Sequence, residues 1–229
     1  MVSLNYCQRM KSIILVHGAW HGSWCWELVE SRMVKDGYKV LSVDLPFTGL
    51  DDDAAFLSNI LDSVDGEIVL LGHSYGGMVI SKAAVGRYNI SHLVYLCAIL
   101  LKEGDSMGGS SESSQESKIK IDVDENLSSI VKRDAVIPAF YEDVDLQLAQ
   151  DALGRLRPFP IHSVNTGIGE AWRDHPTTYV VCKDDAAIPP DVQRRMSGLA
   201  DRVLEWDCGH SPFLSNPELV CGLLQELAG

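Results

Sequence analysis

Residues 68–77 read Ile-Val-Leu-Leu-Gly-His-Ser-Tyr-Gly-Gly, and the abrupt change of character halfway along decides the fold. Ile68 to Leu71 is a short apolar run of strand type. Gly72-His73-Ser74-Tyr75-Gly76 follows at once, and Met78, Val79, Ala83 and Ala84 then recur in a helical pattern. A turn this sharp between strand and helix presses backbone against backbone on both sides of Ser74. The flanking positions must therefore be almost without side chain. The strain lifts a serine hydroxyl above a sheet, where a base and a substrate carbonyl can reach it. Gly-x-Ser-x-Gly alone arises often by chance; the strand before it and the helix after it give it meaning.

Outward from this stretch the same alternation recurs. Strand-like runs are predicted at Ile13–Val16, Tyr38–Val43, Leu93–Ile99, Thr178–Cys182 and Arg202–Trp206. An amphipathic stretch covers Trp24–Asp36. Another runs over Asp51–Val64, with Ala55, Phe56, Ile60 and Leu61 predicted inward. Continuous apolar strands separated by helices imply an α/β fold with a mostly parallel sheet covered on both faces. Ligands of such sheets bind at the carboxyl ends of the strands.

Between Leu101 and about Arg173 the alternation fails. Residues 103–118 are polar and low in complexity and read as a mobile loop. Leu127–Val131 and Val144–Leu153 read as short helices. The expected organisation is a core of residues 1–100 and 174–229 with a cap at 101–173, inserted after the fourth strand-like run.

Bulk properties exclude more than they select. The chain has 229 residues and a formal net charge of -13, which disfavours nucleic acid or an anionic membrane as partner. The acidic run Asp51-Asp52-Asp53 reads as a solvated turn. No apolar stretch has the length of a membrane span, and Met1–Lys11 lacks the apolar core of a secretory signal. Six cysteines form no Cys-x-x-Cys pair, so reduced, buried thiols in a cytoplasmic protein are expected. No cluster has metal-ligand spacing, and no cofactor is required.

A nucleophilic serine needs a base, and the base needs an orienting carboxylate. Of seven histidines, His210 stands directly after the last strand-like run, in Asp207-Cys-Gly-His-Ser-Pro-Phe213. Thr178–Cys182 ends in Lys183-Asp184-Asp185-Ala-Ala-Ile-Pro189, which offers two adjacent candidate acids. The oxyanion of a tetrahedral intermediate needs backbone N–H donors. The small-residue turn His17-Gly18-Ala19 after the first strand can aim the Ala19 N–H, and Tyr75 supplies the second.

His17-Gly-Ala-Trp-His-Gly-Ser-Trp-Cys-Trp26, Gly72-His-Ser-Tyr-Gly-Gly77, Asp185-Ala-Ala-Ile-Pro-Pro190 and Gly209-His210 together resemble the α/β-hydrolase superfamily. They are most similar to its small branch of plant methylesterases, hydroxynitrile lyases and bacterial relatives. The likeness covers residues 12–100 and 177–228. It implies the α/β-hydrolase fold and the triad order Ser74, Asp185, His210, since the family's acid stands with two residues between it and an Ile/Val-Pro pair. It also implies oxyanion donors at Ala19 and Tyr75. Hydroxynitrile lyases of this group carry a threonine at the place of Gly18 and a lysine two residues after the histidine, where this chain has Pro212. Lyase chemistry is therefore poorly supported. Haloalkane dehalogenases and epoxide hydrolases place an aspartate at the elbow, which Ser74 contradicts.

The expected function is hydrolysis of a small to medium hydrophobic carboxylic ester. The same fold running perhydrolysis, carbon–carbon bond hydrolysis or oxygenation, and a small-molecule receptor with a vestigial triad, are the rival readings. Candidate pocket residues are Trp20, His21, Phe140, Tyr141, Phe159 and Trp172; Trp24 and Trp26 are expected to pack on the sheet. His17 and His73 read as structural, bonded to backbone. His162 and His175 have no strand-end context.

Overall fold

Alternate residues of a strand face opposite ways, and in this chain both sets are apolar, so the sheet must be covered on each side. A computed structural model describes residues 10–105, 113, 115–161 and 168–229. It opens β1 (Ser12–Val16), α1 (Glu27–Lys35), β2 (Lys39–Val43), α2 (Leu50–Asp62), β3 (Ile68–His73), α3 (Gly76–Ala83) and β4 (Ile90–Leu96). The segment that follows contains β5 (Ile121–Val123), β6 (Ser128–Val131), α4 (Arg133–Phe140), α5 (Leu146–Leu153) and β7 (Phe159–Pro160). The alternation then resumes with β8 (Thr177–Cys182), α6 (Pro190–Ser197), β9 (Arg202–Trp206), α7 (Pro212–Ser215) and α8 (Pro217–Ala228).

The main sheet has six strands in the order β2-β1-β3-β4-β8-β9, every adjacent pair parallel. Ile13 and Leu15 of β1 join Val69 and Leu71 of β3 on one face, against Val29 and Met33 of α1 and Val220 and Leu224 of α8. Ile14 and Val16 join Ile68 and Leu70 on the other, against Leu57 of α2, Val79 of α3 and Met196 of α6. Burying each such side chain contributes roughly 1.5–3 kcal/mol. The strand order reverses direction between β1 and β3. A crevice opens at such a switch, and both the His17 turn and Ser74 stand there.

Three expectations need correction. In α2 the buried residues are Leu50, Asp53, Ala54, Leu57 and Leu61, whereas Ala55 and Phe56 face solvent. Packing on the Ile14–Val16 face of the sheet chose the phase, and of the four residues expected inward only Leu61 is fully buried. Asp53 is accordingly no solvated turn residue but fully buried. Leu127–Val131 is not helical: Ser128–Val131 is β6, the centre of a three-stranded antiparallel sheet between β5 and β7. Its Ile130-Val131 pair suits a strand, and the partner that decides the matter, β7, lies some thirty residues away. The helix at α5 matches expectation, starting at Asp145, whose side chain accepts the N–H groups of Gln147 and Leu148.

Half of the polar run 103–118, and His162, lie outside the described residues. Among the described residues no helix is long and apolar enough to cross a membrane. Cys25, Cys97, Cys182, Cys208 and Cys221 are free and buried.

Candidate active site

Ser74 ends β3 with φ of 51°, a left-handed conformation that a non-glycine residue adopts only under constraint. The constraint is the close approach of the backbone around it. A Cβ on Gly72 would stand 2.5 Å from the Gly76 carbonyl oxygen, and one on Gly76 would stand 2.7 Å from that of Val16. No side chain fits either place. Ser74 N–H donates to Leu96 O (3.2 Å), while Ser74 O accepts from Gly77 N–H and Ile99 N–H, both at 3.0 Å. The backbone of Ser74 is thus held from β4 and from α3 together.

Asp185 and His210 meet at the ends of β8 and β9. His210 Nδ1 donates to Asp185 Oδ2 at 2.7 Å, with both side chains buried. Nδ1 therefore carries the proton and Nε2 keeps the lone pair. Asp185 Oδ1 accepts the N–H groups of Ala187 and Ile188, each at 2.8 Å. Oδ2 also accepts from Gln193 Nε2 at 2.8 Å. Four donors thus hold a carboxylate removed from water, the condition under which a buried charge is tolerated. Asp184, its neighbour, is exposed, and its N–H donates to Cys208 O. Gln193, which no motif singles out, ties the loop of Asp185 together: it accepts Cys182 N–H and donates to Ile188 O.

The loop of His210 is anchored from below and from the side. His73 Nε2 donates to the His210 carbonyl (2.9 Å), and Cys97 Sγ donates to the same oxygen (3.4 Å). Gly209 N–H donates to Asp143 Oδ2 at 2.8 Å, a contact from the loop between α4 and α5. The rings of His73 and His210 lie 4.6 Å apart between centroids. Since Nε2 of His73 carries the proton, its buried Nδ1 is left without a hydrogen-bond partner. Burial, reinforced by the neighbouring His210, pushes His73 well below the ordinary histidine range. Ligand atoms of His73, Cys97 and His210 fall within 4.8 Å of one another, a grouping that spacing along the chain does not reveal. A metal there would displace the hydrogen bonds just described, so the donor set fits packing beneath the base better than an ion.

Ala19 and Tyr75 both line a cavity of about 320 Å³ beside Ser74. Its other walls are Trp20, Ile99, Ser117, Ile119, Phe159, Ala187, Ile188, Pro189, Val192 and Met196, an apolar set save for Ser117. Ser117 is itself satisfied, donating to Ala187 O at 2.7 Å. Of the candidate pocket residues, Trp20 and Phe159 stand at this cavity. Phe140 stacks obliquely on the His210 ring at 5.6 Å. His21 and Tyr141 are buried behind the turn at 17–19: His21 Nδ1 donates to Ala19 O (2.9 Å) and Tyr141 Oη donates to His21 Nε2 (2.8 Å). Trp172 is directed elsewhere, its indole N–H donating to Leu101 O. His175 is bonded to Ala84 O. Trp26 is fully buried against Phe213, as expected of a sheet-packing residue, while Trp24 lies partly exposed beneath Arg155.

Arg157 goes unnoticed in the sequence, and Asp53 is noticed there only as part of an acidic turn. Arg157 donates its backbone N–H to Trp20 O (2.7 Å), while its guanidinium donates to His21 O and Leu45 O (3.1 Å each). Asp53 accepts Tyr75 Oη–H at 2.8 Å and the Phe47 N–H at 2.9 Å. Its burial raises its pKa, although these hydrogen bonds oppose the shift. No local pattern announces partners more than a hundred residues away, as Arg157 has.

Comparison with known proteins agrees with this fold. The profile of the alpha/beta hydrolase family matches residues 13–223. The chain belongs to that family. It is 31% identical to an alpha/beta hydrolase, nvfD, of Aspergillus novofumigatus, over 95% of this chain and 96% of that one. It is 27% identical to methylesterase 1 of Arabidopsis thaliana, over 96% and 97%. Among solved structures, polyneuridine aldehyde esterase superposes with a TM-score of 0.83 at 22% identity, over 96% of this chain and all of that one, which is a likeness of fold.

Proposed function

We propose that this chain, an enzyme of the carboxylesterase type, hydrolyses small to medium hydrophobic carboxylic esters through Ser74, His210 and Asp185. One observation carries the reading: a completely buried, fourfold hydrogen-bonded carboxylate accepts from His210 Nδ1, which leaves Nε2 to act as base toward Ser74, itself held at a left-handed φ. Methylesterase relatives support the ester as substrate class. The cavity supports a neutral, apolar group of modest size, since about 320 Å³ lies at the small end of ligand sites.

In this mechanism His210 removes the Ser74 proton as the hydroxyl attacks the ester carbonyl. The N–H groups of Ala19 and Tyr75 hold the oxyanion, and Asp185 stabilises the imidazolium. The alcohol departs with the proton from His210. Water, activated by the same nitrogen, then releases the carboxylic acid from Ser74. Residues 101–173 act as a cap: Ser117, Ile119 and Phe159 complete the cavity wall, and Asp143 and Arg157 tie it to the base and oxyanion loops.

Labelling with an active-site fluorophosphonate tests the nucleophile directly. The wild type is expected to label at Ser74 and to cleave short aryl or alkyl esters, and Ser74→Ala to lose at least about 10³-fold in kcat. Full hydrolysis by the Ser74→Ala protein would refute the assignment. Binding of apolar esters without labelling or turnover would favour a receptor instead.

A further inference from the structure

His17, read from the sequence as a merely structural histidine, is bonded to a particular carbonyl. Its Nδ1 lies 2.9 Å from Gly18 O. A carbonyl can only accept, so Nδ1 carries the proton. The other nitrogen agrees, because Leu45 N–H donates to His17 Nε2 at 3.0 Å. Burial lowers the pKa of His17 to about 4, which keeps the ring neutral and this tautomer in place. Asp44 lies 3.6 Å from Nε2, yet that nitrogen carries no proton to share with it.

Gly18 O belongs to the same peptide group as the Ala19 N–H. A trans peptide is planar, and its N–H points opposite to its C=O. Whatever fixes Gly18 O therefore fixes the direction of the Ala19 N–H. A donor on the carbonyl also polarises the amide and strengthens its N–H as a donor. The second oxyanion peptide is arranged in the same way: the carbonyl paired with the Tyr75 N–H is Ser74 O, held by Gly77 N–H and Ile99 N–H. Both peptides are thus gripped from behind. One grip is made of backbone alone, and the other is a side chain.

We infer that His17 is a positioning residue for the oxyanion hole, acting through the Gly18–Ala19 peptide plane. It touches neither substrate nor reacting atoms. The inference rests on the reading of Ala19 as an oxyanion donor, and its action belongs to the transition state, where the negative charge develops. Loosening this donor should lower kcat while leaving KM nearly unchanged.

The test compares His17→Ala, His17→Asn and His17→Gln, each with its active sites counted by fluorophosphonate titration so that misfolded protein is excluded. An asparagine amide occupies the place of Nδ1 and can donate to Gly18 O; a glutamine amide occupies the place of Nε2 and cannot. Expected is a fall in kcat of roughly tenfold to a hundredfold for Ala and Gln, somewhat short of deleting an oxyanion donor outright. Recovery of most of kcat is expected for Asn, with KM within about twofold throughout. Affinity for a trifluoromethyl ketone, which forms the tetrahedral adduct on Ser74, should fall in step with kcat. Equal turnover per labelled site in Asn and Gln variants overturns the inference, as does a change confined to KM or to melting temperature. If the alanine variant does not fold, the Asn–Gln pair decides. A wild type that neither labels nor turns over esters would instead remove the proposed function.

Discussion

The strand-end loops of the main sheet and the segment between β4 and β8 serve the same site by different physical means. The loops place Ser74, Asp185 and His210 through backbone: a positive φ at Ser74, side-chain-free glycines, and N–H groups aimed at carbonyls and carboxylates. The segment reaches the site through long side chains, with Arg157, Tyr141 and Asp143 each contacting a loop from over sixty residues away. Backbone positioning is rigid because few dihedrals remain free. Side-chain positioning has to immobilise rotatable bonds and is the more easily lost. The loops should therefore govern turnover, and the seam should govern stability.

The sharpest break is expected inside one loop. Asp185→Asn leaves the shape intact but removes the acceptor that sets the His210 tautomer, and kcat should drop by about 10⁴-fold. Asp184→Asn, one residue away and exposed, should stay within about twofold. Steady-state kinetics on labelled enzyme separates the two. Equal losses would mean that the acid is misassigned.

A smaller effect of the opposite kind is expected at the seam. Arg157→Ala leaves the carbonyls of His21 and Leu45 short of a donor in a partly buried place, at a cost of about 2–4 kcal/mol. That corresponds to a fall in melting temperature of roughly 5–15 °C for a chain of this size. Arg157→Lys should recover little, because one ammonium cannot span both carbonyls as the planar fork does. A kcat loss with unchanged melting would place Arg157 with the loops instead and dissolve the distinction.

Acid should weaken the loop after β1, on the other side of that seam, more gently. Burial lowers His17 to about 4 and His21 to about 3, both below the ordinary 6.5. The unfolded chain therefore binds protons that the folded chain refuses. Stability is complete above about pH 6.5 and is lost progressively as the pH falls toward 4 and 3. For His17 the loss between pH 7 and pH 5 is roughly 2 kcal/mol. Asp53, raised by burial, works in the opposite sense. Urea midpoints at the two pH values should therefore converge in His17→Asn. An unchanged difference would mean that this ring is not held neutral by its surroundings.

The sequence by itself determined the six strands, their parallel arrangement and the loops that carry the chemistry. Each of these depends on local demands: β-branched apolar runs, glycines where a Cβ would stand 2.5–2.7 Å from a carbonyl oxygen, a proline after the acid. Tertiary structure alone decided which of two adjacent aspartates is buried, which face of α2 turns inward, and that residues 128–131 pair as a strand. It alone also brought Gln193 to Asp185, Arg157 to the oxyanion turn and His17 to one carbonyl rather than another. A hydrogen bond between residues far apart in the chain leaves no periodic trace. Its geometry exists only once packing has brought the two elements together and excluded the water that would otherwise serve either partner.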